Sequence, residues 1–228
     1  SFRKGFLPCL LLVFTAFGLI MLQPDLGTGM VLVLTCMVMI FVAGARLSHF
    51  IGLGLLGILG LVGLIASAPY RIDRITAFLN PWEDPLGDGF QIIQSLYAIG
   101  PGGLLGLGMG NSLQKYFYLP EPQNDFIFAI IGEELGFIGG TGIIILFLLL
   151  LWRGIKISLE APDLFGRLVA LGIVSMLVIQ AMINISVVIG LIPVTGITLP
   201  FLSYGGSSLT LTLCSVGILL NISIHSKI

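Results

Sequence analysis

The chain has 228 residues, of which 57% are hydrophobic and only 9% charged, with a mean hydropathy of +1.11; this excludes a water-soluble globule and marks an integral membrane protein. The net charge of −1 provides neither a nucleic-acid footprint nor a polybasic lipid-surface patch, so no DNA or RNA partner is implied.

The sequence opens at Ser1 and enters an apolar run almost at once, with no small-residue cleavage site behind it, as expected of a piece of a longer protein. Apolar runs long enough for ~30 Å of hydrocarbon occur at Phe6–Leu22, Leu26–Ala43, Phe50–Ala68, Phe126–Trp152, Leu164–Gly190 and Leu199–Ile222. They predict an all-α, polytopic bundle of about six transmembrane helices. A tight turn around Pro24 and Asp25 separates the first two, and RGIKISLEAPD joins the fourth to the fifth. Cys9, Cys36 and Cys214 sit inside apolar runs without paired spacing, which suits small buried hydrophobes rather than disulfides or a zinc site.

Orientation follows from Lys and Arg near the helix ends. With Ser1 in the cytoplasm, Arg3, Lys4, Arg46, Arg153, Lys156, Arg167 and Lys227 lie inside, leaving Arg71, Arg74 and Lys115 outside. The same choice gathers Asp25, Asp73, Glu83, Asp84, Asp88, Glu121, Asp125, Glu133 and Glu134 on the outer half.

The segment 69–124, about 55 residues without disulfides, is too long for a passive hairpin and predicts an extracellular loop with structure of its own. Its polar first part, YRIDRITAFLNPWEDPLGDG, carries a Trp and a Tyr suited to the interface. The apolar second part, FQIIQSLYAIGPGGLLGLGMG, reads as a helix lying in, or dipping into, the outer leaflet. Gly102, Gly106 and Gly110 recur every four residues, as do Gly132, Gly136 and Gly140, a spacing that lets backbones approach closely. No strand precedes GLGMG, so no nucleotide site is read there.

From Tyr118 to Gly140 a loop punctuated by Pro120 and Pro122 turns into an apolar helix carrying acids. Asn124 or Asp125 can cap that helix, and Glu133 and Glu134 follow roughly 12 Å further in. Ionisable groups at that depth normally face a protein interior or a wet cavity, because lipid exposure costs a few kcal/mol each. The plainer reading makes Asp125 an N-cap alone and leaves the glutamates solvated by a loop.

Near the C-terminus, GLIPVTGITLPFLSYGGSS offers serines but no G-x-S-x-G, and both His49 and His225 fall on the cytoplasmic side, which excludes a Ser–His triad. Packing and backbone capping account for Ser203, Ser207 and Ser208. With no outer histidine, a general base there must be Asp or Glu, and Asp125 is the best placed. Arg71, Arg74 and Lys115 can neutralise an anion such as a pyrophosphate. Acid plus cations at an outer face suits transfer from a lipid-linked phosphate donor. A transporter uses intramembrane acids and glycine-interrupted helices too, and a scaffold recruiting partner helices is a third reading that leaves the glutamates unexplained.

The motifs QPDLGTG (Gln23–Gly29), YRIDRITAFLNPWEDPLGDGFQIIQS (Tyr70–Ser95), PEPQNDFIFAIIGEELG (Pro120–Gly136), and a signature from Asn184 through Gly190, Pro193 and Gly196 to SYGGSS at Ser203 together resemble the SEDS family (shape, elongation, division and sporulation), the RodA, FtsW and SpoVE group, nearest its sporulation branch. The resemblance covers essentially the whole chain. It implies a ten-helix fold in the bacterial cytoplasmic membrane, of which this single membrane domain, residues 1–228, holds the last six helices and the large extracellular loop. It also implies polymerisation of lipid II onto a growing glycan chain by a peptidoglycan glycosyltransferase beside a class B penicillin-binding protein, in division, elongation or spore cortex synthesis; lipid II flipping is the alternative. By the same resemblance the essential aspartate falls on Asp125, and substrate-binding roles on Arg71, Arg74, Lys115, Gln91, Glu133, Glu134 and Ser203. A divalent cation, Mg or Mn, is an expected helper at the pyrophosphate, whereas no nucleotide, haem or flavin is expected.

Overall fold

The structure is a computed structural model that describes residues 5–117, 119 and 122–225; Arg3, Lys4, Tyr118, Pro120, Glu121 and Lys227, used above, lie outside the described residues. Among the described residues the fold is all helical: α1 (Leu7–Met21), α2 (Leu26–Val42), α3 (Leu47–Ala66), α4 (Pro69–Leu79), α5 (Phe90–Gly102), α6 (Gln114–Phe117), α7 (Ile127–Glu160), α8 (Leu164–Val188) and α9 (Gly206–His225).

The apolar runs account for α1, α2, α3, α7, α8 and α9. Of these, α3, α7, α8 and α9 are long and apolar enough to cross a membrane, while α1 and α2 are apolar but shorter, at 15 and 17 residues. The turn between α1 and α2 is set by Asp25, whose carboxylate accepts from the Thr28 N–H at 2.9 Å and caps α2. None of α3 is buried, whereas half of the most apolar window of α8 is. An apolar helix without a buried face has lipid or another helix as its natural surroundings.

Three boundaries differ from expectation. The last run becomes helical only at Gly206, because residues 199–203 form a turn in which the Leu199 carbonyl accepts from the Leu202 and Ser203 N–H groups. The fourth helix continues past Trp152 through RGIKISLE to Glu160. The fifth ends at Val188: the Leu191 N–H reaches the Ser186 carbonyl, the Gly190 N–H reaches Val187, and Gly190 has φ +72°, a Schellman stop.

Packing divides the chain into two units, described separately. The first comprises Ser1–Ala45, Ile143–Met182 and Ile197–Ile228. Its core joins Ile157 of α7, Ala170, Val174 and Val178 of α8, and Leu219 of α9. Gly154 lets α7 and α8 approach so closely that a Cβ there would overlap the Val174 side chain.

The second unit, Arg46–Gly142 and Ile183–Gly196, carries the segment 69–124. That segment is structured, as expected: α4, α5 and α6 lie within it. At 13 residues α5 is too short to span a bilayer, and Ile92, Ile93, Ser95 and Ala98 are buried within the protein. The Ser95 hydroxyl donates to the Val188 carbonyl at 2.7 Å, fixing α5 to the end of α8.

Candidate functional site

All but one of the predicted site residues belong to the second unit, and a break in α7 organises several of them. Gly136 lies inside the helix with φ +66° and ψ −164°, so the helical ladder is interrupted there. Such a break orphans carbonyls before it and N–H groups after it, and each buried orphan costs free energy unless paired. The stretch 103–108 supplies the partners. Leu107 and Gly108 donate N–H bonds to the carbonyls of Glu133 (2.9 Å) and Glu134 (3.0 Å), while Phe137 and Ile138 donate to the carbonyls of Gly103 (2.8 Å) and Leu104 (3.2 Å).

The glycine spacing serves this docking. A Cβ at Gly102 would overlap the Gly132 carbonyl, one at Gly106 the Glu134 carbonyl, and one at Gly136 the Gly106 N–H and Leu104 carbonyl. Gly110 differs: open space surrounds it, and its φ of +84° is what requires glycine.

The two glutamates point to different tasks. Glu133 is 2% exposed, and its carboxylate accepts from the Ser112 hydroxyl at 2.5 Å and the Leu113 N–H at 3.0 Å. The Lys115 N–H in turn donates to the Ser112 oxygen at 3.0 Å. Glu134 forms an ion pair with the Lys115 ammonium at 3.1 Å, with side-chain exposures of 15% and 32%. Lys115, expected to meet an anionic substrate, is thus held beside an acid.

Asp125 ends the approach to α7, whose first bonds run from the Ala129 and Ile130 N–H groups to the Phe126 carbonyl. It is half-buried, and its backbone carbonyl accepts from the Asn184 amide at 2.7 Å. Its Oδ2 lies 3.6 Å from where a Cβ on Gly196 would sit, so the carboxylate faces the backbone of that glycine. Two residues earlier on the same stretch, the Val194 carbonyl accepts from the Arg74 guanidinium at 3.3 Å. Two residues of chain span at most ~7 Å, so base and cation flank one short piece of backbone. Between them the Thr195 hydroxyl is buried with no protein partner among the described residues.

Beside Arg74 opens a cavity of about 310 Å³ lined by Arg74, Leu86, Gly87, Asp88, Phe90, Gln91, Ile92 and Val194. Arg74 and Gln91, both among the expected substrate-binding residues, line it. Arg71 instead donates to the Leu64 carbonyl at 2.7 Å with its guanidinium 5.3 Å from the Tyr70 ring, a cation–π contact. Ser203 belongs to the first unit, where its hydroxyl oxygen accepts from the Leu199 N–H at 2.6 Å. That is the backbone capping its sequence context allows. Among the described residues no three His, Cys, Asp or Glu side chains converge as a metal site.

Ser112, Asn184 and Thr195 were not singled out individually by sequence as site residues. Asn184 opens the C-terminal signature, which is the signal that could have marked it; Ser112 and Thr195 carried none.

Comparison with known proteins agrees with this architecture. The family of FtsW, RodA and SpoVE, described as cell cycle proteins, matches residues 1–228. Stage V sporulation protein E of Bacillus subtilis is 72% identical over 227 residues, covering 100% of this chain and 62% of that protein. A probable peptidoglycan glycosyltransferase FtsW of Geobacter sp. is 48% identical, again over 100% of this chain and 62% of its own length. The chain therefore spans about 62% of the length of these relatives. Among solved structures, a peptidoglycan synthase complex that coordinates polymerization and crosslinking aligns with a TM-score of 0.77 and 36% identity over 98% of this chain and 63% of its own. The rod shape determining protein RodA of Thermus thermophilus aligns with a TM-score of 0.64 and 31% identity, over 98% of this chain and 57% of that one. The chain is a multi-pass membrane protein that belongs to the SEDS family, the group of FtsW, RodA and SpoVE.

Proposed function

We propose that this chain is the catalytic part of a peptidoglycan glycosyltransferase that polymerises lipid II at the outer face of the bacterial cytoplasmic membrane. The observation that carries the reading is the placement of the Asp125 carboxylate and the Arg74 guanidinium on the two ends of Val194–Gly196, beside a polar cavity. A base and a fixed cation held to one short piece of backbone are what displacement of a lipid-linked pyrophosphate requires. The names of the relatives support the same chemistry.

In the step proposed, the sugar 4-hydroxyl of one lipid II attacks the anomeric carbon of a lipid-linked chain. A new C–O bond forms, the bond to undecaprenyl pyrophosphate breaks with its electron pair leaving on the phosphate oxygen, and Asp125 takes the hydroxyl proton. Inversion turns an α-linked donor into a β-1,4 product. Arg74 meets the charge developing on the leaving group, with Arg71 and Lys115 on the flanking elements. Asn184 holds the Asp125 backbone, the Gly136 break docks residues 103–108, and the Glu133 and Glu134 carboxylates hold Ser112, Leu113 and Lys115. The described residues do not form a protein cage for Mg or Mn.

The partner of this reading is a class B penicillin-binding protein that cross-links the product, as the pairing of polymerization with crosslinking in the solved complex suggests. The test is purified full-length protein incubated with lipid II in detergent, with and without that partner. The reading expects glycan polymer on a gel. A flippase predicts none, together with transfer of lipid II across vesicles.

A further inference from the structure

The stretch NPWEDPLGDGFQ, Asn80–Gln91, helps identify the family yet has no assigned chemistry beyond Gln91, and the structure shows it to be a built element. The Asp84 carboxylate accepts from the Gly87 N–H at 3.1 Å and the Asp88 N–H at 3.3 Å, folding the loop over itself. The Gly89 N–H closes it on the Asp84 carbonyl at 3.1 Å. A Cβ at Gly89 would overlap the Pro81 carbonyl, so that glycine is required by close approach of backbone, and one at Gly87 would displace the Asp84 carboxylate. Trp82 braces the loop edge-on against Tyr97 of α5, ring centroids 5.9 Å apart.

The product of this folding is one wall of the 310 Å³ cavity, to which the loop contributes Leu86, Gly87 and Asp88, and α5 contributes Gln91. Arg74, on α4, lines the same cavity. The lining is chemically mixed: a carboxylate that accepts, an amide that does both, and a guanidinium that donates. A site for a bare anion would not place Asp88 inside it, since a like charge repels phosphate. Acceptors and donors together with the apolar Phe90 and Ile92 in one lining instead match the hydroxyl and acetamido groups of a sugar ring. The volume lies at the low end of small-molecule sites, ~300–1,000 Å³, which fits one ring and not a whole disaccharide-peptide.

We infer that Asp88, Gln91 and Arg74 form a subsite for the amino-sugar ring joined directly to the pyrophosphate, with Asp88 and Gln91 reading the sugar and Arg74 shared between sugar and phosphate. This rests on the glycosyltransferase reading for the identity of the ligand. The two are separable because the subsite is tested by binding and the reaction by turnover.

The experiment measures binding of two probes, lipid II and undecaprenyl pyrophosphate, to full-length protein in detergent. Asp88→Ala and Gln91→Ala should each weaken lipid II by about tenfold, the loss of one or two hydrogen bonds, and change undecaprenyl pyrophosphate by less than about twofold. Arg74→Ala should weaken both probes. Both Asp88 and Gln91 lie outside the buried core, and an unchanged thermal midpoint confirms that the loop still folds. Equal weakening of the two probes by Asp88→Ala, or no weakening of lipid II by either variant, would overturn the subsite. If the unmutated protein makes no polymer while this selectivity holds, the glycosyltransferase reading fails and sugar recognition stands.

Discussion

Glu133 illustrates what a single residue can and cannot disclose. Sequence placed an acid about two turns into an apolar helix, which announces a protected environment. The partner that protects it, Ser112, lies 21 residues away, and the one that holds Asp125, Asn184, lies 59 away. No periodicity links such positions, so only the fold reveals them. Because the two carboxylate oxygens of buried Glu133 accept bonds from the buried Ser112 hydroxyl and the Leu113 N–H, we expect Glu133→Ala to cost about 3 kcal/mol and Glu133→Gln about 1 kcal/mol. Thermal unfolding in detergent checks the order. Activity should track the folded fraction; a Gln variant that is fully folded and inactive would give Glu133 a direct chemical role instead. For the more exposed Lys115 and Glu134 pair, a double-mutant cycle should return a coupling of only about 0.5–1 kcal/mol, shrinking with salt.

At the scale of elements, hydropathy located the six apolar helices because each is a long uninterrupted run. The same uniformity hid the break at Gly136, which changes no hydropathy average. The fourfold glycine spacing did carry a signal, close packing, and Gly102, Gly106 and Gly136 use it to dock 103–108 onto the broken helix. It could not say that Gly110 is there for its backbone angle alone. These glycines therefore rank. Gly136→Ala and Gly106→Ala combine a positive φ with overlap on backbone atoms and should each cost about 3 kcal/mol or more. Gly110→Ala, with open space around it, should cost about 1 kcal/mol. Unfolding midpoints that place Gly110→Ala level with Gly136→Ala would remove the docking role of the break.

For the whole molecule, composition sufficed to name a membrane protein, hydropathy runs made it helical, and family motifs pointed to Asp125 as the candidate base. None of these could show that Arg74 and Asp125 both reach residues 194–196, since three separate stretches of chain contribute. The outward orientation rests on the balance of Lys and Arg. It predicts that Glu83→Cys and Asn111→Cys, made in a background lacking Cys9, Cys36 and Cys214, react with impermeant reagents from outside the cell; labelling only from the cytoplasm would reverse the topology. The central claim, that Asp125 is the base, is tested most directly by Asp125→Asn in full-length protein given lipid II in detergent. Asparagine keeps the size and the backbone carbonyl that Asn184 holds, and removes only the proton acceptor. Glycan polymerisation should fall by about 100-fold or more while lipid II binding and partner association survive. Polymer formed at the unmutated rate would contradict the account and remove Asp125 as the base.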